Sequence, residues 1–133
     1  MEKKKESEKI IQMIETNISF YLKSSRVHIY IDTLRGIGNP NRICFMLERN
    51  GKTILLTPYK KRDLKSHMVP SEVYKNKRCM EISSIKLCRL IANIHSWNLA
   101  YSYRVPGRID IKQKVAVFDL TKAEIIMRSI TDK

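Results

Sequence analysis

The stretch from Ile43 to Thr57 constrains the fold of this chain more than any other, because Asn50-Gly51 stands between two runs of apolar and β-prone residues. Asn and Gly tolerate the positive φ angles of a type I′ turn, so the pair predicts a tight hairpin. A two-residue loop sets the register, with Leu47 opposite Ile54 and Phe45 opposite Leu56. Those four share one face, while Cys44, Met46 and Glu48 share the other with Thr57, Leu55 and Thr53. Upstream, Val27, Ile29 and Ile31 alternate with His28, Tyr30 and Asp32, which predicts a strand over 26–34. Together these make an antiparallel unit of at least three strands.

Helical spacing appears elsewhere. Ile10, Ile14, Ile18 and Tyr21, with Ile11 and Leu22 beside them, predict a helix over 5–23. Ser83 or Ser84 can cap a second helix running to about Ser96, with Leu87, Cys88, Ile91 and Ile94 inward and Lys86, Arg89, Asn93 and Ser96 outward. Thr121-Lys122-Ala123-Glu124 has the form of a capping box ahead of Ile125, Ile126, Met127 and Ile130, which predicts a terminal helix. Between them, Tyr101, Tyr103 and Val105 alternate with Ser102 and Arg104, then reach Pro106-Gly107, read as a turn before a strand at 108–111. Val115 to Leu120 reads as a further strand. The expected architecture is a single α+β domain over 1–133, a mainly antiparallel sheet of about five strands with three helices in the order α-β-β-β-α-β-β-α.

Two connections lack periodicity. Gly36-Ile37-Gly38-Asn39-Pro40-Asn41 is a loop; it begins like a dinucleotide fingerprint but lacks the third glycine, and Pro40 falls where a helix would start. Residues 59–80 form an irregular basic loop, with a short helical turn after Pro70.

At 133 residues the chain can bury about two thirds of its unfolded surface around one core. Its formal charge is +13, and residues 49–114 hold 15 Lys/Arg against 4 Asp/Glu. By contrast Lys3, Lys4, Lys5 and Lys9 are cancelled by Glu2, Glu6, Glu8 and Glu15. A regional excess of that sign makes a local field that attracts polyanions. No apolar run nears the ~20 residues of a membrane span, and the charged N-terminus does not resemble a signal peptide, so a cytoplasmic protein without membrane contact is expected. Cys44, Cys79 and Cys88 form no close pair and read as inert thiols in a reducing compartment. No cofactor or metal site is expected.

The basic and aromatic residues of the 49–114 stretch are the candidate site, since Lys and Arg reach phosphates and exposed Tyr rings stack on unpaired bases. Tyr59 adjoins Lys60, Lys61, Arg62 and Lys65; Tyr74 precedes Lys75, Lys77 and Arg78; Tyr103 leads into Arg104 and Arg108. Lys86 and Arg89 add a helix face. The reading is a small, non-enzymatic nucleic-acid-binding protein contacting the phosphate backbone. One alternative is an interaction or inhibitor module docking on an acidic protein partner.

A second alternative is a metal-dependent nuclease, in which Asp110 and Lys112 on one strand face would hold a magnesium ion and a scissile phosphate. The order helix, three strands, helix, strand resembles the core of the PD-(D/E)xK nucleases, and its first part resembles the double-stranded RNA-binding fold. The first family places its acid-x-Lys element before the second helix, where this chain has Leu55-Leu56-Thr57-Pro58. The second expects a lysine-rich entry to a helix that here begins Ser83-Ser84-Ile85-Lys86. His67, within the basic loop, is the histidine singled out for test, while His28 reads as a sheet residue.

Overall fold

A computed structural model describes residues 13–60 and 66–127. The strands are β1 (Met13–Tyr21), β2 (Arg26–Tyr30), β3 (Arg42–Leu47), β4 (Thr53–Pro58), β5 (Ser66–Met68), β6 (Cys79–Ser83), β7 (Ser102–Asp110), β8 (Val115–Asp119) and β9 (Glu124–Met127). Three short helices join them: α1 (Ile31–Gly36), α2 (Val73–Asn76) and α3 (Ile85–His95). Every pairing is antiparallel, in the order β5-β3-β4-β8-β7-β1-β2-β6 with β9 also on β7, and the sheet curls into a nearly closed barrel. The expected five-strand sheet with three full helices is therefore replaced by nine strands.

Three corrections account for the difference. Residues 13–21, expected to be helical, form β1, the strand paired with both β2 and β7. Ile14 and Ile18 suit either period, but Thr16, Ile18 and Phe20 also alternate, and a β-branched and aromatic run fills a pleated surface better than a helix. Residues 5–12 of that expected helix lie outside the described residues. The second correction is at Pro106-Gly107, where β7 runs straight through. One edge of β7 follows β1 throughout; on the other it pairs with β9 at 102–104 and with β8 at 107–110. Pro106, which has no N–H to give a ladder, falls where that partner changes. Third, the capping-box segment makes a 3₁₀ turn at Leu120–Lys122 and then β9, because Asp119 accepts from the Thr121 backbone N–H and closes a tight turn.

The hairpin register is as expected, Leu47 opposite Ile54 and Phe45 opposite Leu56. Its turn differs: Gly51 donates to the Glu48 carbonyl at 2.9 Å, and Gly51 takes φ +70° while Asn50 keeps a negative φ. Strand β2 stops at Tyr30, four residues short of expectation, and α1 follows.

Side chains of one face line the barrel: Ile18 and Phe20, Val27 and Ile29, Ile54 and Leu56, Val105 and Ile109, Ala116 and Phe118. Helix α1 adds Ile31 and Leu34 to this core and bonds β1 through the hydroxyls of Thr33 and Thr16, 2.6 Å apart. Helix α3 adds Cys88, Ile91 and Ala92. It is capped by Ser84, which accepts from the Leu87 N–H at 3.3 Å, and held at its C-terminal end by His95, whose Nε2 donates to the Gly51 carbonyl at 2.7 Å.

The registers assign the described connections named below to one end of the barrel or the other. Met13 pairs with Asp110, Asp110 with Val115, Leu56 with Ala116, Ile43 with Pro58 and Tyr30 with Cys79. The start of β3, the end of β4, α1, α2, the start of β6 and the turn at 111–114 therefore share one end, called here the α2 end. The β3–β4 turn, α3 and the segment after it occupy the other, the α3 end.

Candidate nucleic-acid interface

Because antiparallel strands return the chain repeatedly to the same place, residues far apart in sequence emerge together at the α2 end. Arg42 opens β3 and Lys60 follows β4; Lys75 is in the last turn of α2; Lys77 and Arg78 precede β6; Lys112 and Lys114 lie in the β7–β8 turn; Arg35 is in the last turn of α1. Described carboxylates at this end are Asp32, Glu72 and Asp110. The ion pairs seen between described residues join Arg26 and His28 to Glu81 and Arg104 to Glu124, and none of them includes one of these cations. Arg35 Nη2 donates to the Tyr74 carbonyl at 3.1 Å, tying α1 to α2.

A cleft of about 790 Å³ opens at this end, lined by Pro40, Asn41 and Arg42, by Pro58, Tyr59 and Lys60, and by the chain from Met68 to Glu72. Arg42 is aimed by a 2.9 Å bond from its Nε to the Ser66 hydroxyl. Tyr59 is partly exposed on the cleft wall, beside the Arg42 and Lys60 cations. A planar ring with two flanking cations is the combination that takes an unpaired base and its phosphate.

The other candidate aromatics are placed differently. Tyr74 turns its hydroxyl inward to donate to the Pro40 carbonyl at 2.6 Å, and burial pushes that phenol up to about 12. Tyr103 is only 7% exposed; its ring stacks on Trp97 at 4.4 Å and its hydroxyl accepts from the Asn98 N–H. The Tyr103 ring is thus committed to the fold, while Tyr74 is partly buried and anchored by its hydroxyl. Tyr103 looked available because strand alternation does not say which face is the core.

Among the cations, Lys60, Lys75, Lys77 and Arg78 belong to the α2 end, and Lys61, Arg62 and Lys65 lie outside the described residues. Lys86 and Arg89 are exposed on α3 at the opposite end. Arg104 is on the barrel wall, 3.9 Å from Glu124. Arg108 stands opposite Glu15 in a wall cleft of about 730 Å³ that opens where β8 and β9 part, with Asp119 and Lys122 also lining it. That mixture of signs makes the wall a poor phosphate track.

The nuclease geometry loses its premise. Asp110 ends β7 and accepts from the Gln113 N–H at 3.1 Å, which commits it to the turn, and Lys112 is in that turn instead of on a strand face. No group of three or more His, Cys, Asp or Glu among the described residues is placed to hold a metal ion. His67 is in β5 opposite Ile43, its ring 6.0 Å from Phe45, and burial and the Arg42 charge hold its imidazole below the usual value. No helix among the described residues is long and apolar enough to cross a membrane.

Sequence reasoning missed two features. At the α3 end, Leu90 and Leu99 are about half exposed beside Trp97 and Arg89, forming an apolar groove; the helical pattern had assigned exposed Ile94 to the core, and Ala92 is buried in its place. On the outer wall, His28 meets Cys79 and Glu81 across β2 and β6, a contact spanning more than fifty residues of chain that no local pattern could signal. Comparison with models of protein families, with curated proteins and with solved structures gives no match.

Proposed function

We propose that this protein binds nucleic acid at the α2 end of its barrel, through phosphate contacts from Lys60, Lys75, Lys77 and Arg78 and stacking on Tyr59. One observation carries the reading: cations from five separate segments of chain share this end of the barrel, and two of them, Arg42 and Lys60, line a cleft with the partly exposed Tyr59. Scattered charge would serve solubility alone, whereas gathered charge beside an aromatic ring suits a strand whose bases are unpaired. Anisotropy titrations of single-stranded RNA, single-stranded DNA and duplex at several salt concentrations test it. Lys75→Glu/Lys77→Glu/Arg78→Glu should lower the salt slope by up to about 2 for a single strand, at ~0.7 per phosphate contact. Lys86→Glu/Arg89→Glu should leave that slope in place. Absence of binding at low salt, or equal losses from both variants, refutes the proposal.

A second reading is supported by the α3 end. Between Glu81 and Asp110 the chain contains no carboxylate, and the groove of Leu90, Trp97 and Leu99 is rimmed by Arg89, with Lys23 beside it. An acidic protein segment with apolar anchors fits such a surface. Selection from a displayed library of random peptides tests this: enriched sequences rich in Asp and Glu, losing affinity in Leu90→Glu, support it. Enrichment of neutral or basic sequences refutes it.

A further inference from the structure

The outer wall at β2 and β6 brings together a thiol, an imidazole and a carboxylate. His28 stands opposite Glu81 and Tyr30 opposite Cys79, so His28, Cys79 and Glu81 point outward on adjacent strands. Glu81 Oε2 lies 2.7 Å from His28 Nε2, and His28 Nδ1 lies 3.9 Å from Cys79 Sγ. Arg26 grips the other carboxylate oxygen of Glu81. An ionised carboxylate can only accept a hydrogen bond, so Nε2 carries the proton and Nδ1 presents its lone pair to the thiol. The order nucleophile, base and orienting carboxylate is the arrangement that activates a weak nucleophile.

We propose that Cys79, His28 and Glu81 form a nucleophilic thiol centre, at which Cys79 takes an acyl group from a small activated ester or thioester. His28 Nδ1 accepts the proton from Cys79 Sγ–H as sulfur bonds to the acyl carbon. The bond from that carbon to the leaving oxygen or sulfur breaks, and the imidazolium returns the proton to the leaving group. The products are a thioester on Cys79 and a free alcohol or thiol.

Several features support this assignment. The groups facing the imidazole are Tyr21 from β1, its ring 4.4 Å away, Arg26 from its own strand, and Cys79 and Glu81 from β6. Burial and the Arg26 charge hold His28 below its usual value, which keeps it neutral and able to act as base at neutral pH. The sulfur-to-nitrogen separation is long for a hydrogen bond, as is common before substrate tightens such a pair. Cys79 is partly exposed, next to Arg78, and β6 is the last strand in the sheet order, so the approach from that edge is not taken by another described strand. Cys44 and Cys88 are instead buried, and burial raises the Cys88 thiol to about 11.

The test acetylates the whole protein with p-nitrophenyl acetate across pH 6 to 9, reads each cysteine by peptide mass spectrometry, and uses free glutathione as reference. Cys79 should acetylate at least ~10-fold faster than glutathione near neutral pH, as expected of a thiol with a general base at hand. His28→Gln should remove that advantage and move the pH midpoint of the rate upward. Glu81→Gln, which preserves shape, should give an intermediate rate. Cys79 reacting no faster than glutathione overturns the proposal, as does a rate unchanged in both variants.

Discussion

Adding one methyl group at Gly107 tests whether β7 runs unbroken against β8. A Cβ there would lie 2.4 Å from Phe118 Cδ1 and 2.5 Å from the Val117 carbonyl oxygen, against 3.4 Å or more for ordinary contact. Each neighbour would have to retreat by about 1 Å. Neither can do so easily: Phe118 is fully buried, and Val117 pairs with Leu55 on one side and Arg108 on the other. Overpacking of this kind costs about 1–3 kcal/mol, and each ladder hydrogen bond loosened adds about 1. Replacing glycine by alanine would otherwise stabilise by about 0.4–1 kcal/mol through the unfolded chain, so the sign itself is diagnostic. Gly107→Ala should lose about 2–3 kcal/mol net. With a urea m-value of about 1.5 kcal/mol/M, the midpoint should fall by about 1.5 M. Trp97, the only tryptophan, reports the transition by fluorescence from within the aromatic cluster with Phe20 and Tyr103. A midpoint unchanged or raised would mean that the chain bends at Pro106-Gly107 and that the β7–β8 pairing there does not form.

Ser84→Ala should cost about 1 kcal/mol by removing the cap of α3, seen as a lower urea midpoint with an unchanged m-value. Tyr103→Phe should cost about 1 kcal/mol by depriving the Asn98 N–H of its acceptor, and should leave Trp97 emission in place because the ring stack persists. His67 has a folded pKa below the 6.5 of an unperturbed imidazole, so the unfolded chain binds its proton more readily. Its contribution to stability is complete above pH 6.5 and is lost as pH falls below it; the melting temperature should drop on acidification, less steeply in His67→Gln.

Legibility followed the range of the interaction. The register of β3 on β4 was readable because Asn50-Gly51 and the alternating residues on each side act within fifteen positions. The α3 helix was readable because Ser84 caps it and Cys88 and Ile91 recur at its period. Local chemistry misled where two periods coexist, at Ile14 to Tyr21, and where a capping box coincides with a tight turn, at Asp119 to Glu124. For the candidate site, the basic residue types were visible, yet how Tyr103 and Tyr74 are engaged was decided by Trp97 and Pro40, partners on other elements.

The amino-acid sequence alone determined the sign and regional concentration of charge, the central hairpin and the α3 cap, because composition, turn chemistry and capping depend on residues close in the chain. Only the tertiary structure decided that β1 is a strand, that β7 serves three partners, that Arg42 and Lys60 from separate strands line a cleft with Tyr59, and that His28 meets Cys79. Each of those depends on strand register between distant segments, and register is set by the closing of the sheet around its core, which no local stretch of sequence specifies.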